Sequence, residues 1–318
     1  MVSSSAMRAL RPWWRSVLTW VDNAADAPMA DEDERRIDWL RVVPFVGIHL
    51  SCLGVLWVGV SGTAVAVAAA LYVLRMFAIT AFYHRYFAHR AFKTSRTAQF
   101  IFAALGATAV QRGALWWAAH HRHHHAHSDR AGDAHSPARH GFLWSHMGWF
   151  LARASFPTKT HLVPDLMRFP ELKFLDRFDV LVPALLAAAL YAAGAWLEGA
   201  VPSSGVTPAQ LVVWGFSIST VFVMHATFAV NSLAHAVGRR RYATRDSSRN
   251  HFGLALITFG EGWHNNHHHF PGAARQGFFW WEVDFTYYLL RLLAVVGLIW
   301  DLRSVPEPVR AATAGRAP

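Results

Sequence analysis

The sequence predicts an all-α integral membrane protein, with four transmembrane helices in two hairpins under a cytoplasmic helical cap. Only 16% of the 318 residues are charged and 53% are hydrophobic, whereas charged residues make up roughly a quarter of a soluble domain. Four apolar stretches are long enough for the roughly 20-residue helix that crosses a bilayer. They cover residues 42–60, 63–83, 179–199 and 208–231.

The connections within the two predicted hairpins are short and carry no positive charge. Ser61 and Gly62 alone join the first pair of helices, and a loop rich in Pro, Ser and Gly at 202–207 joins the second. The basic residues lie elsewhere: six in 1–41, thirteen in 84–178 and ten in 236–318. Because Lys and Arg mark cytoplasmic loops, both termini and the central segment are expected in the cytoplasm, at what we take to be the bacterial inner membrane.

The remaining segments complete the predicted organisation. Residues 1–41 read as a partly disordered, interfacial N-terminal segment, 42–303 as one membrane domain and 304–318 as a disordered tail. Weaker apolar runs at 98–117 and 278–300 are interrupted by Arg112 and Arg291, which favours helices lying along the membrane interface. A basic face against anionic lipid accounts for the net charge of +10 without a nucleic-acid partner.

Histidine is the feature that points to chemistry. Most of the 20 histidines fall into three groups, each placed where a predicted helix leaves the membrane on the cytoplasmic side. The first group is an HxxxxH pair, His84 and His89; the second lies within 120–127; the third is an HxxHH set that begins at His264. Side chains three and four residues apart share one face of a helix, so each HxxHH set presents three imidazoles together.

Neutral imidazole is a good ligand for iron, zinc, copper and nickel. One HxxxxH pair and two HxxHH sets supply eight nitrogens, which exceeds the need of one centre with open positions and predicts two metals. The single Cys52 excludes a Cys₄ zinc site or an iron–sulfur cluster. Spacing alone leaves the second set open, since both 120/123/124 and 121/124/125 fit HxxHH.

Three histidine boxes in this order, split by one pair of spans, resemble those of the membrane fatty-acid desaturases. The resemblance runs from about residue 79 to 303 and is closest to the stearoyl-CoA (Δ9) type. Supporting matches are the Asn231-Ser-Leu-Ala-His235 motif and the run Gly260-Glu-Gly-Trp-His-Asn265. The family implies an enzyme that uses two irons, O₂ and external electrons to place a cis double bond, Δ9 in this type, into a saturated acyl thioester.

The resemblance also implies site residues. In the family, a Trp lies four residues before the first histidine of the second box and an Arg follows it; Trp117 and Arg122 fit only if that histidine is His121. Asn231 would hold a metal-bound water. Asp133, Glu261 and His135 are candidates for hydrogen bonds to ligating imidazoles. The implied metal ligands are His84, His89, His121, His124, His125, His235, His264, His267 and His268.

Acyl-chain contacts can be carried over by position as well. Gln111, Trp117 and Thr227 stand where the family fixes the kink at the new double bond, and Phe228 stands where close relatives carry Trp. The family holds the acyl chain in a bent apolar tunnel. Tyr72, three turns before the first box, would close the end of that tunnel and so set the length of chain that fits; ordinary helix packing is the alternative interpretation.

The acyl carrier is the least determined feature. Acyl-CoA members carry Arg-Asp immediately before the second box, and Ala119-His120 replace that pair here. Arg112 and Arg153 are then the candidates for meeting a phosphate. We expect an acyl thioester, acyl-CoA first, with acyl carrier protein or a phospholipid as alternatives.

The sequence contains no electron-carrying motif, which implies a ferredoxin-, rubredoxin- or cytochrome b5-like donor with its reductase. Two other functions compete with desaturation. A hydroxylase or decarboxylase would use the same scaffold and boxes. A divalent-cation transporter would hold its ligands near mid-membrane, whereas these boxes lie outside the spans.

Overall fold

The computed structural model describes residues 13–25 and 35–312, and their fold is helical throughout apart from one two-stranded pairing. The strands, β1 (Lys93–Thr94) and β2 (Ile299–Trp300), are antiparallel. The α-helices are α1 (Trp13–Leu18), α2 (Trp39–Val58), α3 (Gly62–Ala88), α4 (Arg96–Ala107), α5 (Ala114–His127), α6 (Pro137–His140), α7 (Pro164–Met167), α8 (Pro170–Arg177), α9 (Leu181–Ala200), α10 (Pro208–Ala236), α11 (Phe252–Ile257), α12 (His264–His269), α13 (Phe285–Val295) and α14 (Glu307–Ala311).

Four of these helices, α2, α3, α9 and α10, are long and apolar enough to cross a membrane, and they confirm the predicted fold class. In α3 and α10, 39% and 50% of the apolar window is buried inside the protein, against 11% and 17% in α2 and α9. The pair α3 and α10 therefore forms the core of the bundle, and α2 and α9 expose their apolar side chains outward.

Local sequence signals explain where the hairpins turn. Gly59 ends α2 with φ of +67°, a conformation that costs glycine little. The Ser61 hydroxyl then accepts a hydrogen bond from the Ala64 amide and starts α3. Thr207 caps α10 in the same way, with Pro208 at the first helical position, where the missing N–H costs nothing.

The two core helices both contain π-helical turns. In α3 these turns cover Ala78–Ala88, and all eleven of those residues are buried; in α10 they cover Val212–Ile218. A π-turn bonds each N–H to the carbonyl five residues earlier; such turns are rare and frequently occur at functional sites. The carbonyl of Gly215, within the second segment, accepts a hydrogen bond from the Arg75 guanidinium at 2.9 Å.

The cap consists of residues 89–180 and 237–312. Its apolar side chains join the upper part of α3 in one core, with Phe82 stacked on Phe102 of α4 at 3.8 Å. The weaker apolar runs become α4 with the start of α5, and α13, which is shorter than a membrane span. The cap thus sits directly on the ends of the helices that carry the histidine boxes.

Within the described residues, hydrogen bonds connect both terminal segments to the rest of the fold. Near the N-terminus, Trp20 donates to the Leu40 carbonyl and Asn23 to the Asp176 carbonyl, which holds the segment after α1 against α2 and α8. The acidic run at 31–34 lies outside the described residues. At the C-terminus, α14 is held by the Tyr242 hydroxyl, which donates to the Arg310 carbonyl at 3.0 Å.

Candidate metal centre

The structure gathers nine histidines into two adjacent clusters. Within each cluster, one nitrogen of every imidazole lies within 4.8 Å of the others, as ligands around one metal ion would. The five-histidine cluster contains His84, His89, His121, His125 and His267. The four-histidine cluster contains His124, His235, His264 and His268. These are the nine histidines that the sequence resemblance implies.

Each HxxHH box divides its histidines between the two clusters. On α5, His121 and His125 are one turn apart and their Nε2 atoms lie 3.0 Å apart in the five-histidine cluster, while His124 points into the other cluster. On α12 the division is reversed, because His264 and His268 join the four-histidine cluster and His267 joins the five. Both helices therefore bridge the two clusters.

Of the two triplets that fit HxxHH in the second box, the structure places 121/124/125 in the clusters and leaves His120 and His123 outside them. His120 turns away from the clusters to the Pro157 carbonyl, and His123 stacks on His127 at 4.4 Å. Arg122 donates to the carbonyls of Phe87 and Ala88, at the end of α3. This arginine fixes the first box against the second.

The HxxxxH pair converges because of the π-helical turns in α3. An α-helix rotates about 100° per residue, so side chains five residues apart would point about 140° away from each other. In the π-turn, the His89 amide instead bonds to the His84 carbonyl at 3.2 Å, which brings the two residues above one another. Their rings are 4.9 Å apart.

Carboxylates orient several of these imidazoles. Nδ1 of His84 lies 2.5 Å from Glu261, Nδ1 of His124 lies 3.1 Å from Asp133, and Nδ1 of His268 lies 2.7 Å from Asp246. Each Nδ1–H donates to its carboxylate, so the lone pair of Nε2 remains on the cluster side. Of the predicted partners, Asp133 and Glu261 are placed to act in this way, whereas His135 stacks on His124 at 4.2 Å.

Burial favours the metal-binding form of these imidazoles. It lowers the pKa of His121, His125, His264 and His267 well below the ordinary value, and lowers the pKa of His268 to about 4. Neutral imidazole is the form that binds a metal. Nε2 of His268 is buried with no hydrogen-bond partner in the described part of the chain. An all-nitrogen set in which the lone pair of such a buried nitrogen has no partner fits a metal ion such as iron.

Sequence reasoning missed three partners of the histidines. Asp246 and Ser247 belong to the loop before α11, and Ser247 Oγ lies 3.3 Å from Nδ1 of His235. Gln276 lies 3.2 Å from Nδ1 of His84. They are 12 to 192 residues away from the histidines that they contact, and no spacing rule in the sequence connects them.

A cavity of about 250 Å³ lies beside the five-histidine cluster. Its wall includes His121 of the five-histidine cluster and, near the N-terminus, Trp20. Six of the residues predicted to contact substrate or water line it: Gln111, Arg112, Trp117, Thr227, Phe228 and Asn231. Across this wall, Gln111 Nε2 donates to Thr227 Oγ1 at 3.1 Å.

Two of the predicted substrate residues do not line the cavity. Tyr72 donates its hydroxyl to the Ile257 carbonyl at 2.7 Å and packs edge-on against Phe259. Arg153 lies 3.4 Å from Asp38, the residue that caps α2. Helix packing and local pairing account for both side chains in this structure.

A polytopic membrane protein with two histidine clusters beside an apolar cavity belongs to the class of histidine-rich dimetal membrane proteins. Residues 61–300 match the family model for fatty acid desaturases, and the chain is a member of that family. It is therefore an oxidoreductase of lipid metabolism that acts on acyl chains. The two clusters agree with the dimetal site typical of the family.

Curated relatives show how widely the acyl carrier varies at similar distance. An sn-1 stearoyl-lipid 9-desaturase of Anabaena variabilis is 34% identical, covering 86% of this chain and 97% of its own. An acyl-CoA 5-desaturase of Anemone leveillei is also 34% identical, covering 90% and 88%. A hex-5-enoyl-[acyl-carrier protein] acetylenase of Moorena producens is 33% identical, covering 83% and 84%. The comparisons therefore establish membership of the desaturase family, and they do not establish the stearoyl-CoA type.

Proposed function

We propose that this protein is a di-iron, O₂-dependent desaturase that introduces a cis Δ9 double bond into a saturated acyl thioester, acyl-CoA first. The observation that carries this proposal is that Trp117 lines the cavity and also contacts His121 of the five-histidine cluster. Its indole stacks on the His121 imidazole with ring centres 5.0 Å apart, while the Gln111–Thr227 hydrogen bond lies in the same cavity wall. An acyl chain in this cavity would pass the five-histidine cluster beside that bond.

The protein's own residues would determine which two adjacent carbons of the acyl chain receive the double bond. Methylene groups of an acyl chain are chemically alike, so the position of the double bond depends on how the chain is held. Two irons bound by the nine histidines would supply the reduction of O₂ and the removal of hydrogen from the chain. Trp117 and the Gln111–Thr227 pair would hold the bend of the chain, and Asn231 would hold a water beside the metals.

The surroundings of Arg112 and Arg153, the two candidates for meeting a phosphate, give a reason to test a second carrier. Arg112 is paired with Asp179 at 3.0 Å, and Arg153 lies 3.4 Å from Asp38. Two arginines that would meet the phosphates of CoA thus already have acidic neighbours. Together with the stearoyl-lipid 9-desaturases among the relatives, this pairing favours a glycerolipid-bound acyl chain as the second candidate.

We further propose that the termini, the cap and the metal centre lie on the cytoplasmic side of a bacterial inner membrane. The support is the distribution of arginine and lysine, which are absent from the connections at 61–62 and 202–207. Electrons would come from a separate carrier protein and its reductase.

Fatty-acid analysis of cells that lack their own desaturase and express this chain tests the proposal. We expect one new monoene, with its double bond at Δ9, when products are derivatised and examined by gas chromatography–mass spectrometry. His264→Ala should abolish it, whereas His127→Ala, which changes a histidine outside both clusters, should not. Hydroxylated or shortened products, or no product from iron-loaded protein with a working donor, would contradict desaturation.

Purified protein distinguishes the carriers. Radiolabelled stearoyl-CoA and radiolabelled stearoyl-phosphatidylcholine are supplied in separate assays with the same nanodiscs. Under the first proposal, we expect labelled product from stearoyl-CoA. Product from the phospholipid alone would replace acyl-CoA with a glycerolipid and leave desaturation intact.

A further inference from the structure

The loop between α10 and α11 forms a basic surface that the catalytic proposal does not use. Arg239, Arg240 and Arg245 are exposed, and none of the three forms an ion pair with a described residue. The acidic side chains nearby face inward, since Asp246 pairs with His268 and Glu282 with Arg241. We call residues 239–250 the basic loop; its outer charge is positive.

The basic loop is fixed rigidly on the helix that bears the third histidine box. Arg239 and Asn250 exchange backbone hydrogen bonds at 2.9 and 2.7 Å. The side-chain oxygen of Asn265, the residue after His264, accepts from the amides of Arg241 and Tyr242 at 2.7 Å each. A surface held in this way cannot shift relative to the clusters without breaking these bonds.

The connection from this surface to the four-histidine cluster is short. Asp246 follows the exposed Arg245 directly, and its carboxylate accepts from Nδ1 of His268 at 2.7 Å. Ser247 comes next, and its hydroxyl accepts from Nδ1 of His235 at 3.3 Å. Each path from the surface to a histidine of the cluster thus consists of one or two residues of chain and a single hydrogen bond.

We propose that the basic loop is the docking surface for a small acidic one-electron carrier protein, and that electrons enter through Asp246 and His268. This inference rests on the proposed function, because a desaturase needs external electrons. Two carrier molecules are each oxidised by one electron per turnover. Those two electrons, two protons, O₂ and the two hydrogens removed from the acyl chain give two waters and the alkene.

Charge and surface chemistry favour a protein over a lipid surface as the occupant. Complementary charge speeds encounter between proteins by tenfold or more at low ionic strength. Segments that lie in a membrane interface carry large apolar side chains beside their basic ones. Within the basic loop itself no large hydrophobic side chain is exposed, since Tyr242 is 1% exposed; the exposed Val237 and Phe252 lie outside it, one on either side.

Charge reversal on the holoenzyme tests the docking surface. The variant combines Arg239→Glu, Arg240→Glu and Arg245→Glu; Arg168→Glu is the control, an exposed arginine of the cap that likewise forms no ion pair with a described residue. A plant-type [2Fe–2S] ferredoxin, kept reduced by its reductase, is the protein donor, and dithionite with methyl viologen is the small-molecule donor. Both donors are tested in nanodiscs of neutral phosphatidylcholine and, separately, in discs that also contain an anionic phospholipid.

We expect the triple variant to need at least about tenfold more ferredoxin for half-maximal rate at low salt, with the difference shrinking at high salt. The viologen-supported rate and the control variant should match the wild type. The inference is overturned if ferredoxin dependence is unchanged, or if both donors lose rate equally. It is also overturned if the variant matches wild type in neutral discs and differs only in anionic ones, which would assign the arginines to lipid. Absence of product from wild type with both donors would instead contradict the proposed function.

Discussion

Gln111 and Thr227 hydrogen-bond to each other across one wall of the cavity, although 116 residues separate them in the chain. Gln111 lies between α4 and α5, and Thr227 lies on α10. Thr227 also donates to the Val223 carbonyl at 2.8 Å, which fixes its hydroxyl as the acceptor for the glutamine amide. The pair is therefore held in one arrangement, in the cavity wall that also includes His121 of the five-histidine cluster.

Thr227→Val removes this acceptor with little change in volume. We expect the selectivity for one double-bond position to fall about fivefold, corresponding to one lost hydrogen bond of about 1 kcal/mol. Gas chromatography–mass spectrometry of derivatised products measures the ratio of positional isomers. Thr80→Val, which breaks a buried hydroxyl pair with Thr286 at 2.7 Å, is the control for lost stability. An unchanged isomer ratio in Thr227→Val would show that the pair does not set the position.

Asp246→Ala leaves the Nδ1–H of His268 without its carboxylate. Loss of such a partner typically weakens metal binding by 10- to 100-fold, and we expect iron retention against a chelator to fall by a factor in that range. Inductively coupled plasma mass spectrometry after dialysis gives the iron content. Asp301→Ala is the matched control, because Asp301 pairs with the exposed Lys93 and with no other residue that the structure describes. Equal retention in the two variants would contradict a role for Asp246 in holding the ligand.

Asp165 connects three segments of the cap and predicts a pH dependence of stability. It accepts from Arg122 and Arg90 at 2.7 Å each. Burial raises the pKa of this carboxyl, but the two arginines lower it by more, to about 2. A carboxyl with a lowered pKa stabilises the fold above its unfolded pKa near 4, and this contribution is lost as the pH falls towards 2.

Since the Asp165 side chain is 36% exposed, solvent screening limits its contribution to about 1 kcal/mol. We therefore expect Asp165→Asn to lower the melting temperature at pH 7, and the gap from wild type to shrink by about half at pH 3, because the carboxyl is fully protonated only below its folded pKa of about 2. Thermal melting followed by size-exclusion chromatography at both pH values measures the difference. A gap that stays constant with pH would exclude the charge as its cause.

Arg75 is fully buried in α3 and is surrounded by neutral oxygen atoms. Its guanidinium donates to Thr220 Oγ1, to Ser219 Oγ and to the carbonyls of Thr108 and Gly215. Arg75→Leu leaves several buried acceptors unsatisfied, at about 1–3 kcal/mol each, so we expect a marked loss of thermal stability in detergent. Arg75→Lys should recover part of it. A melting temperature unchanged in Arg75→Leu would contradict this account.

Much of the architecture follows from hydropathy. The four spans lie within a few residues of their predicted bounds, apart from the ends of α3 and α10, because apolar length and capping residues such as Ser61 are local signals. The helical spacing of the HxxHH boxes likewise placed their imidazoles on one helix face. The division of each box between two clusters depends on how α5 and α12 pack, and no local pattern encodes that packing.

Other features lie beyond local sequence patterns for definite reasons. The π-helical turns that bring His84 and His89 together replace the ordinary hydrogen bonds of a strongly apolar helix, and periodicity does not report them. Asp246 reaches His268 only because the basic loop folds back onto α12. Tyr72 shared a helix with the first box, yet its side chain faces Phe259 rather than the cavity.

Each HxxHH helix supplies histidines to both clusters, and this sharing bears on how the protein would acquire its metal ions. An ion in either cluster would draw both α5 and α12 into place and so prepare the other cluster for its own ion. We expect iron to be taken up in pairs. A preparation with an average of one iron per chain would then be a mixture of filled and empty molecules, and its specific activity would report the filled fraction.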